Sequence, residues 1–159
     1  MSKVFLITGF QNWGKTFLIN KMFKRSKYYY KKLYPYHSVN FCVQPQSNDD
    51  LGKNKFESII NKRLSELKKI GIEPTHICTA FCPTKEDNNS SKEIIKNIFS
   101  NDEVYIIAIK YKWCLHAILE IEELKQYYSD LSNVRIHILS EKDISKKQNE
   151  LSNLIKSLL

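Results

Sequence analysis

Residues 9–16 read Gly-Phe-Gln-Asn-Trp-Gly-Lys-Thr, and no other stretch limits the folds open to this chain as sharply. An apolar run, Val4 to Thr8, precedes the octapeptide, and an amphipathic one, Phe17 to Phe23, follows it. Strand, tight turn and helix are therefore expected in that order. Gly9 lets the chain turn off the strand, and Gly14 lets backbone N–H groups close around an oxyanion. A helix that begins there aims its unpaired donors and its positive dipole end at the same point. The pattern G-x-x-x-x-G-K-[ST] thus assigns Gly9, Gln11, Asn12, Trp13, Gly14, Lys15, Thr16 and Phe17 to phosphate contact. Lys15 and Thr16 carry the chemistry: the ammonium neutralises terminal phosphates and the hydroxyl holds Mg2+.

A chain of 159 residues fits one domain, 1–159, with room for a proper core. No run approaches the eighteen or so apolar residues of a membrane span, and no charged leader with a small-residue cleavage site opens the sequence. A cytoplasmic protein with no membrane partner is expected. Cys42, Cys78, Cys82 and Cys114 lie in or beside apolar runs, as core thiols do, and not in the paired spacings of a zinc site. The formal net charge is +8, with Lys21, Lys24, Arg25, Lys27, Lys31 and Lys32 close to Tyr28, Tyr29, Tyr30, Tyr34 and Tyr36. Such interleaving would suit a nucleic-acid backbone with stacked bases. A solvated edge whose tyrosines turn into the core is the simpler account, and nucleic acid is not the favoured partner.

Apolar runs alternate with helical patterns almost from end to end, predicting an α/β fold with a mostly parallel sheet of five to six strands. Strands are expected at 3–8, 38–44, 76–82, 104–109 and 134–139, with an edge strand at 28–33. Helices are expected at 15–25, 55–69, 91–99, 115–128 and 144–158. Residues 46–52 and 84–90 read as polar loops.

The octapeptide with Asn12, followed by Phe17-Leu18-Ile19-Asn20, resembles the G-x-x-N-x-G-K-[ST]-x-L-[IL]-N signature of Era-like, translation-factor-class GTPases. The order of elements is similar to that of a Ras-like domain over nearly the whole chain. That resemblance implies a three-layer α/β/α P-loop NTPase fold, a nucleoside triphosphate (GTP or ATP) as ligand, and Mg2+ as cofactor. It also implies positions for base and metal contact. Lys110, Lys112 and Trp113 occupy the place of the guanine-recognition motif N-K-x-D, without its carboxylate. Ser140, Glu141 and Lys142 fall where an S-A-K element would close over the base. Asp49-Asp50-Leu51-Gly52 fits D-x-x-G a few residues late, so Asp49 and Asp50 are candidate metal-side carboxylates and the Gly52 N–H a candidate phosphate donor. A turn with a helix cap explains the same letters. The loop threonine that usually completes the Mg2+ shell is missing, and Gln44 and Gln46 are the nearest glutamines to a hydrolytic position.

Three functions follow. The first is a small GTPase-like nucleoside-triphosphate hydrolase or switch. The second is a small-molecule or nucleotide kinase, with Asp49, Asp50 or Asp87 as base for the acceptor hydroxyl. The third is a catalytically weak nucleotide-binding module with a protein partner, for which the polar 84–90 loop offers a surface. Arg25, Arg63 and Arg135 are the only arginines, and none has an obvious reason to face the loop.

Overall fold

Short β-branched and aromatic runs alternate with amphipathic ones, and the computed structural model, which describes residues 1–112 and 118–159, turns them into a six-stranded sheet flanked by helices. In chain order the elements are β1 (Lys3–Thr8), α1 (Lys15–Phe23), β2 (Tyr34–Tyr36), β3 (Val39–Gln44), α2 (Asn48–Leu51) and α3 (Lys53–Lys69). There follow β4 (His76–Phe81), a 3₁₀ turn at Asp87–Asn89, α4 (Ser91–Ile98), β5 (Glu103–Ile109), α5 (Ile121–Tyr127), β6 (Val134–Leu139) and α6 (Ile144–Leu158).

The strand order is β2-β3-β4-β1-β5-β6, and every pairing is parallel except β2 with β3. β1 is central, in register from Lys3↔His76 to Thr8↔Phe81 on one side and from Lys3↔Glu103 to Thr8↔Ala108 on the other. Its residues from Val4 to Ile7 are fully buried, as a strand covered on both faces requires. The chain leaves β1 in one direction across the sheet, toward β3, and leaves β4 and β5 in the other. Right-handed crossovers then put α1 on the face opposite α3, α4 and α5. The contacts agree: α1 packs with α6 and α3 with α4, while Ser91 Oγ of α4 lies 2.6 Å from the Tyr128 hydroxyl at the end of α5.

Most expected boundaries hold within two residues; the edge strand expected at 28–33, the loop expected at 46–52, which holds α2, and the helix expected from 115 do not. Residues 28–33 form no strand. The edge strand is β2, where Pro35 lacks the N–H that an interior strand would need. Left-handed His37 and Ser38 turn it tightly into β3. Part of the basic, tyrosine-rich stretch turns inward: Tyr28 and Tyr34 are buried, and Phe23, Tyr36 and Phe41 complete an aromatic cluster with them, while Tyr29 and the basic side chains stay exposed. Helix α1 stops at Phe23 because Lys24 adopts a left-handed φ of 51°. The helix expected from 115 begins only at Ile121, and its expected residue Leu115 lies outside the described residues, as do Trp113 and Cys114. Ile118 instead bridges Tyr111 across a returning chain. Cys42, Cys78 and Cys82 are buried free thiols. Among the described residues, no helix is long and apolar enough to cross a membrane.

Candidate functional site

The loop between β1 and α1 sits at the carboxyl end of the central strand, tied to β4 by Gly9 N–H donating to the Phe81 carbonyl at 3.1 Å. Its two glycines serve different needs. Gly14 has φ of 82°, a left-handed conformation that a side chain would strain, with open space around it. Gly9 is needed for closeness: a Cβ there would meet Trp13 Cβ at 3.1 Å. Trp13 is buried beneath the loop, edge-on to Phe10, so its indole props the turn from inside. Asn12 takes a second left-handed conformation, φ 61°.

Gly14 is the N-cap of α1, and no side chain caps that helix end and no acid occupies its first turn. The first amides of a helix have no partner within it, so this end offers donors and positive dipole to an anion. Lys15 is 6% exposed, and its ammonium donates to the Gly9 and Phe10 carbonyls at 2.7 and 2.6 Å. Burial holds its pKa below the usual lysine value, while the Asp50 and Asp49 carboxylates oppose that shift. Residues 12–17 and Asp50 line one recess of about 220 Å3. Thr16 Oγ1 donates to the Pro45 carbonyl at 2.8 Å, fastening the loop to the turn after β3.

That turn is a helix. Ser47 caps α2 in a capping box, its hydroxyl accepting from Asp50 N–H while the Asp50 carboxylate accepts from Ser47 N–H at 3.0 Å. Gly52 N–H donates to the Asn48 carbonyl at 2.8 Å, so it is not poised for a phosphate, contrary to the D-x-x-G expectation. The capping reading of Asp50 holds, and its carboxylate nevertheless borders the recess. Asn48, the first residue of α2, is fully buried. Its side chain accepts from Cys82 N–H at 2.8 Å and donates to the Cys82 carbonyl at 3.0 Å. This one amide locks Asp49 and Asp50 to the end of β4. Only its short polar type hinted at the role, and a partner 34 positions away is invisible in the sequence.

Gln44 is buried, its Oε1 accepting from Arg63 Nε at 2.9 Å and its Nε2 directed to the Gln46 carbonyl, so it does not reach the loop. Arg63 also donates to the Tyr28 carbonyl, Arg25 lies over Tyr34 and Arg135 pairs with Glu103. All three arginines are committed elsewhere.

The residues expected at the base divide. Lys110 closes β5, donating its N–H to the Leu139 carbonyl, and its ammonium lies over the Tyr111 ring, as does that of Lys142. The buried Lys147 of α6 donates to the Tyr111 carbonyl at 2.8 Å. Lys112 is half-buried beside them in sequence. The Ser140 and Glu141 amides, however, already donate to the Glu150 carboxylate at 2.9 and 3.0 Å.

A second and larger space, about 530 Å3, opens beside the recess. Its walls are the chain ends leaving three adjacent strands: Phe10 and Gln11 after β1, Cys82 to Glu86 after β4, and Ile118 to Glu120 after β5. The crevice lies where the connections from neighbouring strands diverge, the usual ligand position in an open α/β sheet. Asp49 lines this crevice while its neighbour Asp50 lines the recess. The 84–91 segment that forms one wall is held internally, by Ser91 Oγ donating to the Thr84 carbonyl at 2.7 Å and by the Thr84 hydroxyl donating to the Asn89 carbonyl.

Hard oxygen donors suit Mg2+, which usually takes only one or two protein ligands when phosphates supply others. The Thr16 hydroxyl and the Asp50 carboxylate, both bordering the recess, meet that need. Among the described residues, no group of three His, Cys, Asp or Glu side chains could hold a metal by itself. No family model, curated protein or solved structure matches this chain.

Proposed function

We propose that this chain is a P-loop protein that binds a nucleoside triphosphate with Mg2+ and transfers the terminal phosphoryl group to a small acceptor. The observation carrying the reading is the buried Lys15 ammonium, folded against the carbonyls of its own loop beside an uncapped helix end. A buried cation hydrogen-bonded to main-chain carbonyls is poised to exchange them for an anion. The amides of residues 14–17 would hold the phosphates, Lys15 their terminal charge, and Thr16 with Asp50 the cation. Mg2+, when bound, neutralises charge on the terminal phosphates. The base would displace the Lys110 and Lys142 ammoniums that lie over the Tyr111 ring.

Transfer is favoured over hydrolysis by two features. Gln44, the buried candidate for orienting water, is bound to Arg63. The crevice beside the recess is large enough for a small molecule, and Asp49 faces it. In the step, the acceptor hydroxyl oxygen bonds to the γ-phosphorus as the bond to the β–γ bridging oxygen breaks. The hydroxyl proton passes to Asp49, and the nucleoside diphosphate leaves with the bridging oxygen.

The test is a pair of variants. Mg2+ with ATP or GTP raises the melting temperature of the wild type, and Lys15→Ala loses that rise. Asp49→Asn keeps the rise but loses acceptor phosphorylation. Steady phosphate release with no acceptor, undiminished in Asp49→Asn, would show a hydrolase instead.

A further inference from the structure

The charge of the crevice runs against that of the chain. Formal net charge is +8 overall, yet among the described residues the crevice walls carry Asp49, Glu86, Glu120 and Glu123 against Lys85 alone. Lys85 is already committed, its ammonium 2.7 Å from Glu123 Oε1 and over the Tyr127 ring. Among the described residues, Asp49, Glu86 and Glu120 have no ion-pair partner. The same space also bares apolar surface. Phe10 is 43% exposed and Ile118 55%, two of the few large apolar side chains that are not covered, and both border it. Leu119 and Leu124 extend that surface inward.

Three unpaired carboxylates around an apolar crevice repel phosphate and carboxylate groups and attract an ammonium. Apolar walls with few polar groups are the usual lining for a compact organic molecule. Resting on the phosphoryl-transfer reading, we infer that the acceptor is a hydroxyl-bearing cationic amine with an apolar body, not a phosphorylated or carboxylated substrate such as a nucleoside monophosphate. Its hydroxyl meets Asp49 beside the recess, and its ammonium lies between Glu86 and Glu120, at the ends of the walls that follow β4 and β5.

Three probes of one shape test this: phenylalaninol (a cation), 3-phenylpropanol (neutral) and 3-phenyllactate (an anion). Binding to the whole chain is measured by titration calorimetry, with and without Mg2+ and a non-hydrolysable triphosphate. Phenylalaninol should bind about tenfold more tightly than 3-phenylpropanol, with 3-phenyllactate weakest. The double variant Glu86→Gln/Glu120→Gln, at two exposed positions, should erase the preference while leaving 3-phenylpropanol binding unchanged. Equal binding of all three, preference for the anion, no binding, or a preference that survives the double variant overturns the inference. The underlying reading fails separately: triphosphate that does not bind leaves the charge preference standing and removes phosphoryl transfer. A preference that vanishes while triphosphate still binds does the reverse.

Discussion

Two sets of main-chain amides sit at carboxyl ends of strands in this sheet, and they have been treated oppositely. Those opening α1 after β1 have no side-chain cap, no acid in the first turn and a lysine folded beneath them. Those of Ser140 and Glu141 after β6 are filled by Glu150 from α6. Among the other helix starts, Ser47 caps α2, Ser90 caps α4 and Asp143 caps α6, while α3 and α5, like α1, begin without a side-chain cap. What sets the α1 end apart is the buried Lys15 ammonium folded beside it, whereas the 140–141 turn satisfies itself. Thr16 and Phe17 at the open end are exposed, so its amides are free to exchange water for the proposed phosphates, while Glu150 already occupies the other set.

The contrast can be broken most directly at Lys15. Lys15→Ala should weaken triphosphate binding by about 100-fold, or ~3 kcal/mol, since it removes the charge-assisted contact. Calorimetry that finds affinity unchanged would make the uncapped helix end an ordinary turn. Next in size is Asn48→Ala, expected to cost about 2 kcal/mol in urea unfolding by leaving the Cys82 N–H buried and unpaired, while the Cys82 carbonyl keeps the Thr84 N–H at 2.9 Å. A loss under ~0.5 kcal/mol would mean that water replaces the amide and that Asp49 and Asp50 are positioned some other way.

A smaller effect is expected from Gly9→Ala. The added methyl presses on Trp13 at 3.1 Å and should cost about 1 kcal/mol of stability, with a matching drop in triphosphate affinity. Stability lost without affinity would separate the fold of the loop from its use. The smallest is Glu150→Gln: about 0.5 kcal/mol, with triphosphate affinity unaltered, because the single carboxamide oxygen keeps one of the two amides and the other, being exposed, turns to water. Tighter nucleotide binding in that variant would show that Glu150 blocks a ligand, and the two amide sets would no longer be opposites.

Local information accounts for the half of this picture near the amino terminus. Glycine spacing, a flanking apolar strand and an amphipathic helix are short-range features, and the structure puts the 9–16 loop between β1 and α1 as the octapeptide predicts. Ends set by local φ, such as Lys24, and contacts made across the sheet were not legible. The early tyrosines show the second kind. Their spacing with lysine left a nucleic-acid surface as the less favoured reading, and only the structure shows Tyr28 and Tyr34 packed among Phe23, Tyr36 and Phe41.

The residues by themselves determined an α/β chain with a glycine turn, a buried strand before it and a helix after it, because those depend on neighbours three or four positions apart. Only the tertiary structure decided the strand order, with β4 and not β3 beside β1, and hence which loops meet at the central strand. It alone divided Asp49 from Asp50 between two adjoining spaces and drew Glu86 and Glu120 to one crevice. Adjacency across a sheet is set by which faces bury best together, a property of the whole core that no single segment carries.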